Sequence, residues 1–314
     1  MGSIFRKYLC LLLTVLLIFS GSGAVHAVSL PCAPEPSVKM CFDREVYKVK
    51  PGNYRRLHLT VLPQNAGKII LWTSSDPAVA QVAVDGTVYG VNYGEVTITA
   101  TEKRSGVSAS CRVCVCDVRQ VAVTFDDGPS SYTSQLLDYL QSRNIRATFF
   151  LIGNRIGWYS DTVLRQASEG HEIGYHSYNH QNQLHLPSQQ ITEDFYAASN
   201  VLYRITGQKF TLWRSPGGDF DQRVLSCIHL PHIYWSVDTR DWASRNADAV
   251  YKAIIRNAKD GSIILMHDLY PSTIEGATRA LDALLAAGYD FLTVSELLAR
   301  DGNVANNCCN YNHN

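Results

Sequence analysis

The sequence has no surplus of either charge. Its 314 residues carry 28 basic and 28 acidic side chains, and only 18% are charged. A protein that grips nucleic acid by neutralising phosphates needs a basic excess, so nucleic acid is not expected as a partner. Low-complexity tracts and collagen-like periods are missing too, and 46% of the residues are apolar. That is the composition of a folded globular chain, long enough for one large domain or two smaller ones. Long apolar runs are scarce. One stands at the start, from Tyr8 to Phe19, behind Arg6 and Lys7 and ahead of small residues that end in Val25-His26-Ala27. At about 12 residues it suits the core of a signal peptide and falls short of the roughly 20 needed to cross a bilayer. Residues 1–27 are therefore expected to be a cleaved leader, with an uncleaved anchor as the alternative, and the protein to be secreted or held at the cell surface. No later stretch is long and apolar enough to span, so no transmembrane segment is expected after cleavage.

Cysteine is present without a complete metal-binding pattern. Nine occur in the chain: Cys10 falls in the leader, Cys32 and Cys41 lie near the mature start, and Cys111, Cys114 and Cys116 crowd one segment. An oxidising exterior permits disulfides, for instance between those two groups, with connectivity open. A zinc knot on the second group is the sharper alternative, but the segment reads as a strand and a second C-x-x-C is missing. Cys227 reads as a small buried apolar residue. Cys308-Cys309 sits in a polar, Asn-rich tail, residues 301–314, with no evident role.

Residues 36–117 read as short strands. Alternation runs through Arg56–Leu62 and Glu95–Ala100, and turns fall at Pro51-Gly52, Ser75-Asp76-Pro77, Asp85-Gly86 and Tyr93-Gly94. Strands at this spacing suggest an all-β sandwich. The runs Leu71–Ala80, Asp85–Val88 and Gly94–Ala100 resemble the group-2 bacterial immunoglobulin-like domain. That resemblance implies a surface spacer or adhesion module with Trp72 in its core.

From residue 118 the rhythm changes. Apolar runs at Val121–Phe125, Ala147–Ile152, Ile233–Val237 and Ser262–Met266 alternate with amphipathic stretches such as Ser134–Ser142 and Thr278–Ala287. Such alternation implies parallel strands covered by helices, an α/β sheet or barrel over residues 118–300. Chemistry in these folds gathers where strands end.

Five strand ends carry titratable or cationic groups. Asp126 and Asp127 follow the first, and adjacent carboxylates there repel unless a cation or hydrogen-bond donors offset them. His176 and His180 follow Glu172–Tyr175; four residues apart, they would face one side of a helical turn. His171 and His185 lie nearby, so a surface histidine cluster competes. Two histidines and one aspartate leave open positions on a metal, the form of a catalytic site. Arg214 precedes a glycine-rich turn, Asp241 precedes Trp242, and His267 ends the last run. Each has a bland reading: a surface salt bridge for Arg214, a helix cap for Asp241, a satisfied core histidine for His267. Five such ends in chain order point instead to one site.

The runs TFDDGP, HSYNH, RSPGG, DTRDW and LMHD resemble, in order, the five motifs of the NodB-type polysaccharide deacetylases, the family-four carbohydrate esterases. Only the third departs: Ser215 and Gly217 replace the proline and tyrosine of its commoner form. The resemblance implies a distorted (β/α) barrel behind the immunoglobulin-like sandwich, and hydrolysis of N-acetyl groups on amino-sugar polymers, peptidoglycan N-acetylglucosamine first. Chitin oligomers, poly-N-acetylglucosamine, N-acetylmuramic acid and O-acetyl xylan are alternative substrates.

It further implies that Asp127, His176 and His180 hold a divalent metal, zinc first and cobalt or another ion as alternatives. Asp126 is then the base, aligned by Arg214, and His267 the acid, kept cationic by Asp241. The Gly217 N–H would meet the oxyanion, with Trp242 and Leu265 lining a slot for the acetyl methyl. A non-haem iron oxygenase shares the ligand set, but no cosubstrate site is evident. A glycan-binding adhesin would not need the acid, base and orienting partners.

Overall fold

Strict inward–outward alternation builds the first part of the fold. In the strand Gly94–Glu102, Val96, Ile98 and Ala100 are buried while their neighbours face outward, the two-residue period of a half-buried strand. The structure, a computed structural model, describes residues 38–63 and 69–302 and the backbone of Asn310–Tyr311. The expected leader, Cys10, Cys32 and the Cys308-Cys309 pair lie outside the described residues. From Val38 onward the chain forms one compact unit.

One sheet orders Val46–Val49, Ser108–Val115, Gly94–Glu102 and Ile70–Ser74; a second joins Tyr54–Arg56, Thr87–Gly90 and Ala80–Val82. Tyr47, Val49, Val88, Ile98 and Val113 share the buried cluster. The run expected as one strand over 56–62 is broken. Leu57 turns into the core, its N–H donating to the Gly86 carbonyl (3.1 Å). The chain changes sheets there, and Leu59–Leu62 pairs with Lys39–Phe42 instead. Trp72 packs against that core beside Phe42, with centroids 6.0 Å apart. Gly86 presses on its ring: an added Cβ would lie 2.6 Å from the indole, and φ is +85°, so only glycine fits the turn.

The same parity removes the zinc knot. Cys111 is buried beside Val113 and Val115, whereas Cys114 points to the other face of the strand. Cys41, Cys111, Cys114, Cys116 and Cys227 are all unbridged, so the disulfide suggested between the two groups does not form among the described residues.

Strands buried on both faces follow, as parallel strands under helices require. Thr148–Leu151 and Glu172–Tyr175 are buried at every position. The parallel order is Glu172–Tyr175, Thr148–Leu151, Arg119–Gly128, Ile263–His267 and Val237–Asp238, with Tyr289–Leu292 also on Arg119–Gly128. Bridges from Tyr175 to Trp213 and from Trp213 to His232 carry the sheet round, giving a distorted (β/α) barrel. The helix Thr133–Ser142 buries Leu136, Leu137 and Leu140 against it; Pro271–Ala286 buries Ile274, Ala277, Leu281 and Leu284, the spacing of an amphipathic helix. The run expected as a single strand over 233–237 is split into His232–Ile233 and Val237–Asp238. The Arg214 guanidinium takes the carbonyls of Ile233 (3.2 Å) and Tyr234 (3.0 Å) between them. Among the described residues no helix is long and apolar enough to cross a membrane.

Because the strands are parallel, their carboxyl ends open on one side. The β-rich part packs on the opposite side. Arg44 and Arg55 each reach Asp290 (3.3 Å), while Glu296 receives His58 (2.6 Å) and Arg146 (3.0 Å). Burial alone would raise the Glu296 carboxyl, but Arg55, His58 and Arg146 outweigh it and hold the group below the ordinary carboxylate range. Its stabilisation is therefore present above the unfolded value, near 4.3, and is lost as pH falls through the depressed folded one. Glu296→Gln keeps the capping bond to the Thr293 N–H yet strips buried Arg146 of its closer counter-charge, leaving only Asp43 at 3.7 Å. It is expected to cost about 3 kcal/mol, read from the denaturant midpoint at neutral pH; an unmoved midpoint would contradict this.

Candidate active site

A bulge places the two aspartates. The pairing of Arg119–Gly128 with Thr148–Leu151 shifts register between Asp126 and Gly128, and Asp127 takes a left-handed φ of +70°. An extra residue bends the strand there and re-aims its side chain. Asp126 is buried; Asp127 keeps 16% of its side chain exposed.

The histidines converge on Asp127 by a route other than the expected helical turn. Residues 176–180 form no helix. Ser177 and His180 have φ of +63° and +62°, and the His180 N–H donates to the Ser177 Oγ (2.9 Å). These are sparsely populated conformations that functional sites retain. His176 Nε2 lies 3.2 Å and His180 Nε2 3.1 Å from Asp127 Oδ1. His171 sits at the far end of the strand, its Nδ1 accepting from the Ala147 N–H (3.1 Å), and His185 is exposed. The surface-cluster reading is thereby removed.

A divalent ion fits these residues. His176 Nδ1 meets the Arg214 carbonyl at 2.8 Å. A carbonyl only accepts, so that nitrogen carries the proton and Nε2 presents a lone pair. That lone pair faces Asp127 Oδ1, which is buried and finds no hydrogen-bond donor among the described residues. Two acceptors at this separation repel unless a cation lies between them. The three ligand atoms lie within 4.8 Å of one another, and the carbonyl behind His176 is the outer partner that orients a ligand imidazole.

Arg214 is fully buried, not a surface ion pair. It donates to Asp126 Oδ1 and Thr124 Oγ1, both at 2.8 Å, and lies over the Phe150 ring at 4.1 Å. Across the sheet, Asp126 stands directly opposite His267 in register. His267 Nδ1 binds Asp241 Oδ1 (2.8 Å), whose other oxygen accepts the His267 N–H (2.8 Å) and Thr273 Oγ1 (2.7 Å). Burial works against a charged His267, but the bond to Asp241 and its charge prevail, pushing the imidazole up to about 9.

Leu265 is buried two residues before His267, on the same side of the strand. Trp242 is 48% exposed on the turn after Asp241. Gly217 is exposed at φ +64°, and an added Cβ would meet only Asp219 Oδ2 at 3.8 Å.

Sequence reasoning passed over Asp268, although it stands in the quoted LMHD run. It is fully buried and pushed up to about 7 by that burial. Thr133 donates to its carboxylate and Ser130 Oγ to its carbonyl, which ties the loop after Asp127 to the strand of His267.

Comparison with known proteins agrees with this geometry. Residues 116–229 match the polysaccharide deacetylase family and residues 39–113 the group-2 bacterial Ig-like domain. A peptidoglycan-N-acetylglucosamine deacetylase of Bacillus cereus is 34% identical over 187 residues, 57% of this chain and 87% of that protein. The chain belongs to the polysaccharide deacetylase family. Similarity to the Listeria monocytogenes peptidoglycan-N-acetylglucosamine deacetylase PgdA is 38% over 180 residues, 57% of this chain. That stretch spans only 39% of the Listeria protein. Among solved structures, a family 4 acetyl xylan esterase from Clostridium thermocellum, in complex with a cobalt ion, aligns with a TM-score of 0.59 and 29% identity. It covers 62% of this chain and 98% of that one. The family match ends at residue 229, ahead of Asp241 and His267, so the case for that pair stands on its geometry.

Proposed function

We propose that the chain hydrolyses N-acetyl groups on an amino-sugar polymer, peptidoglycan N-acetylglucosamine first. The observation that carries this is the gathering of Asp127, His176 and His180 beside Asp126, with His267 opposite in register. Those three residues would hold the divalent ion, zinc first and cobalt or another ion next. An ion held there would supply Lewis acidity, lowering the pKa of water toward about 7 and polarising the acetyl carbonyl.

Asp126, held in place by Arg214 at 2.8 Å, takes a proton from the attacking water. His267, kept protonated by Asp241, gives one to the leaving amine. The Gly217 N–H donates to the developing oxyanion, a contact worth about 3 kcal/mol in comparable sites. Trp242 and Leu265 flank the acetyl methyl. The immunoglobulin-like part, residues 36–117, serves as a spacer or adhesion module before the catalytic part, 118–300. Its packing at the far end of the strands leaves the catalytic side open to polymer. The names of the Bacillus and Listeria relatives support a cell-wall substrate and a secreted or cell-surface location. The xylan esterase neighbour supports O-acetyl xylan as a second reading.

A panel of acetylated glycans separates these substrates. Acetate release is expected from N-acetylated polymer, abolished by a chelator and restored by Zn²⁺. Release that persists unchanged in excess chelator would contradict the reading.

A further inference from the structure

We infer that His232 is a positioning residue that clamps the Arg214–Gly218 segment and, through it, a metal ligand and the base together. Ser215 is fully buried, with φ −75° and ψ 145°. That φ lies in the range a proline ring imposes, and proline is the residue of the commoner motif. Serine leaves an N–H and a hydroxyl there, both sealed from water. Both meet one atom: His232 Nε2 lies 3.2 Å from the Ser215 N and 3.0 Å from its Oγ. A backbone N–H only donates, so Nε2 accepts. His232 is itself fully buried, its ring held edge-on by Trp213 (4.4 Å) and beside Phe220 (4.5 Å).

What hangs on Ser215 is the site. The preceding carbonyl, of Arg214, receives the His176 Nδ1 proton at 2.8 Å. The Arg214 guanidinium holds Asp126 at 2.8 Å. Gly217 follows two residues later. A shift of Ser215 therefore disturbs a ligand imidazole, the base and the oxyanion turn at once. Where proline would stiffen the backbone covalently, this chain uses a buried imidazole.

The role rests on the deacetylase reading, and a double-mutant cycle in the full chain tests it. His232→Val leaves the Ser215 N–H buried without an acceptor. Ser215→Pro alone drives a ring carbon into the imidazole. The double variant removes both faults. Each single change is expected to lower kcat with KM little altered, and to weaken Zn²⁺ binding to the metal-free protein, each by roughly tenfold or more. The double variant is expected to recover both to within a few fold, which is strong positive coupling.

Singles that match the starting protein, or losses that simply add in the double, would overturn the inference. Should His232→Val not fold, His232→Gln still decides: it keeps an acceptor near Nε2 and should retain Zn²⁺ affinity and turnover, and a loss of both in a folded His232→Gln protein would also overturn it. Absence of acetate release by the unaltered chain would count against the deacetylase reading alone. The Zn²⁺ titration would still report on His232.

Discussion

With His267 replaced by alanine, Zn²⁺ affinity is expected to stay while turnover falls by roughly 10²–10⁴-fold, the usual weight of a general acid. His267 is not among the atoms that converge on Asp127, and its Nδ1 is fully engaged by Asp241 at 2.8 Å. Only Nε2 remains for chemistry. With its pKa pushed up to about 9, the imidazole is protonated at neutral pH and ready to donate. The sign is that of a cation stabilised by its partner. The pair's contribution is complete below the ordinary imidazole value of about 6.5 and fades as pH rises through the raised one. Asp241→Asn should accordingly move the alkaline fall of kcat to lower pH. Full turnover by a folded, metal-loaded His267→Ala protein would remove His267 from the reaction.

Replacing Asp127 with alanine is expected to do the opposite to the metal. It removes the buried oxygen that both imidazoles face at 3.1 and 3.2 Å, leaving two neutral nitrogens to hold a dication. Turnover should drop to background, and excess Zn²⁺ should not restore it. Asp127 is also one of the strained residues at the site, with φ +70°. Alanine lacks the carboxylate that justifies this conformation, so the bulge is expected to relax. Measurable rescue at high Zn²⁺ would show that another residue can serve as third ligand.

The site was legible because its groups sit at strand ends in chain order, and parallel strands bring such ends to one side. Register explains why Asp126 and His267 meet although 141 positions separate them: they are opposed residues on adjacent strands. The local backbone was less legible. Spacing of four suggested a helical turn for His176 and His180, but the pair converges through left-handed residues, which periodicity does not reveal. The strand expected over 233–237 is interrupted because a side chain from another segment, Arg214, captures its carbonyls. In the same way Leu57, turned inward toward Gly86, divides the alternating run over 56–62 between two sheets. Alternation shows which side chains are apolar, not which neighbour takes each backbone bond. Asp268 was passed over because a carboxylate next to His267 at a strand end looks, in sequence, like part of a turn.

Calorimetric titration of metal-free protein with Zn²⁺ tests the central claim most directly. One tightly bound ion per chain is expected, and none in the Asp127→Ala protein. Equal binding by both proteins, or no binding by the unaltered chain, would contradict the account.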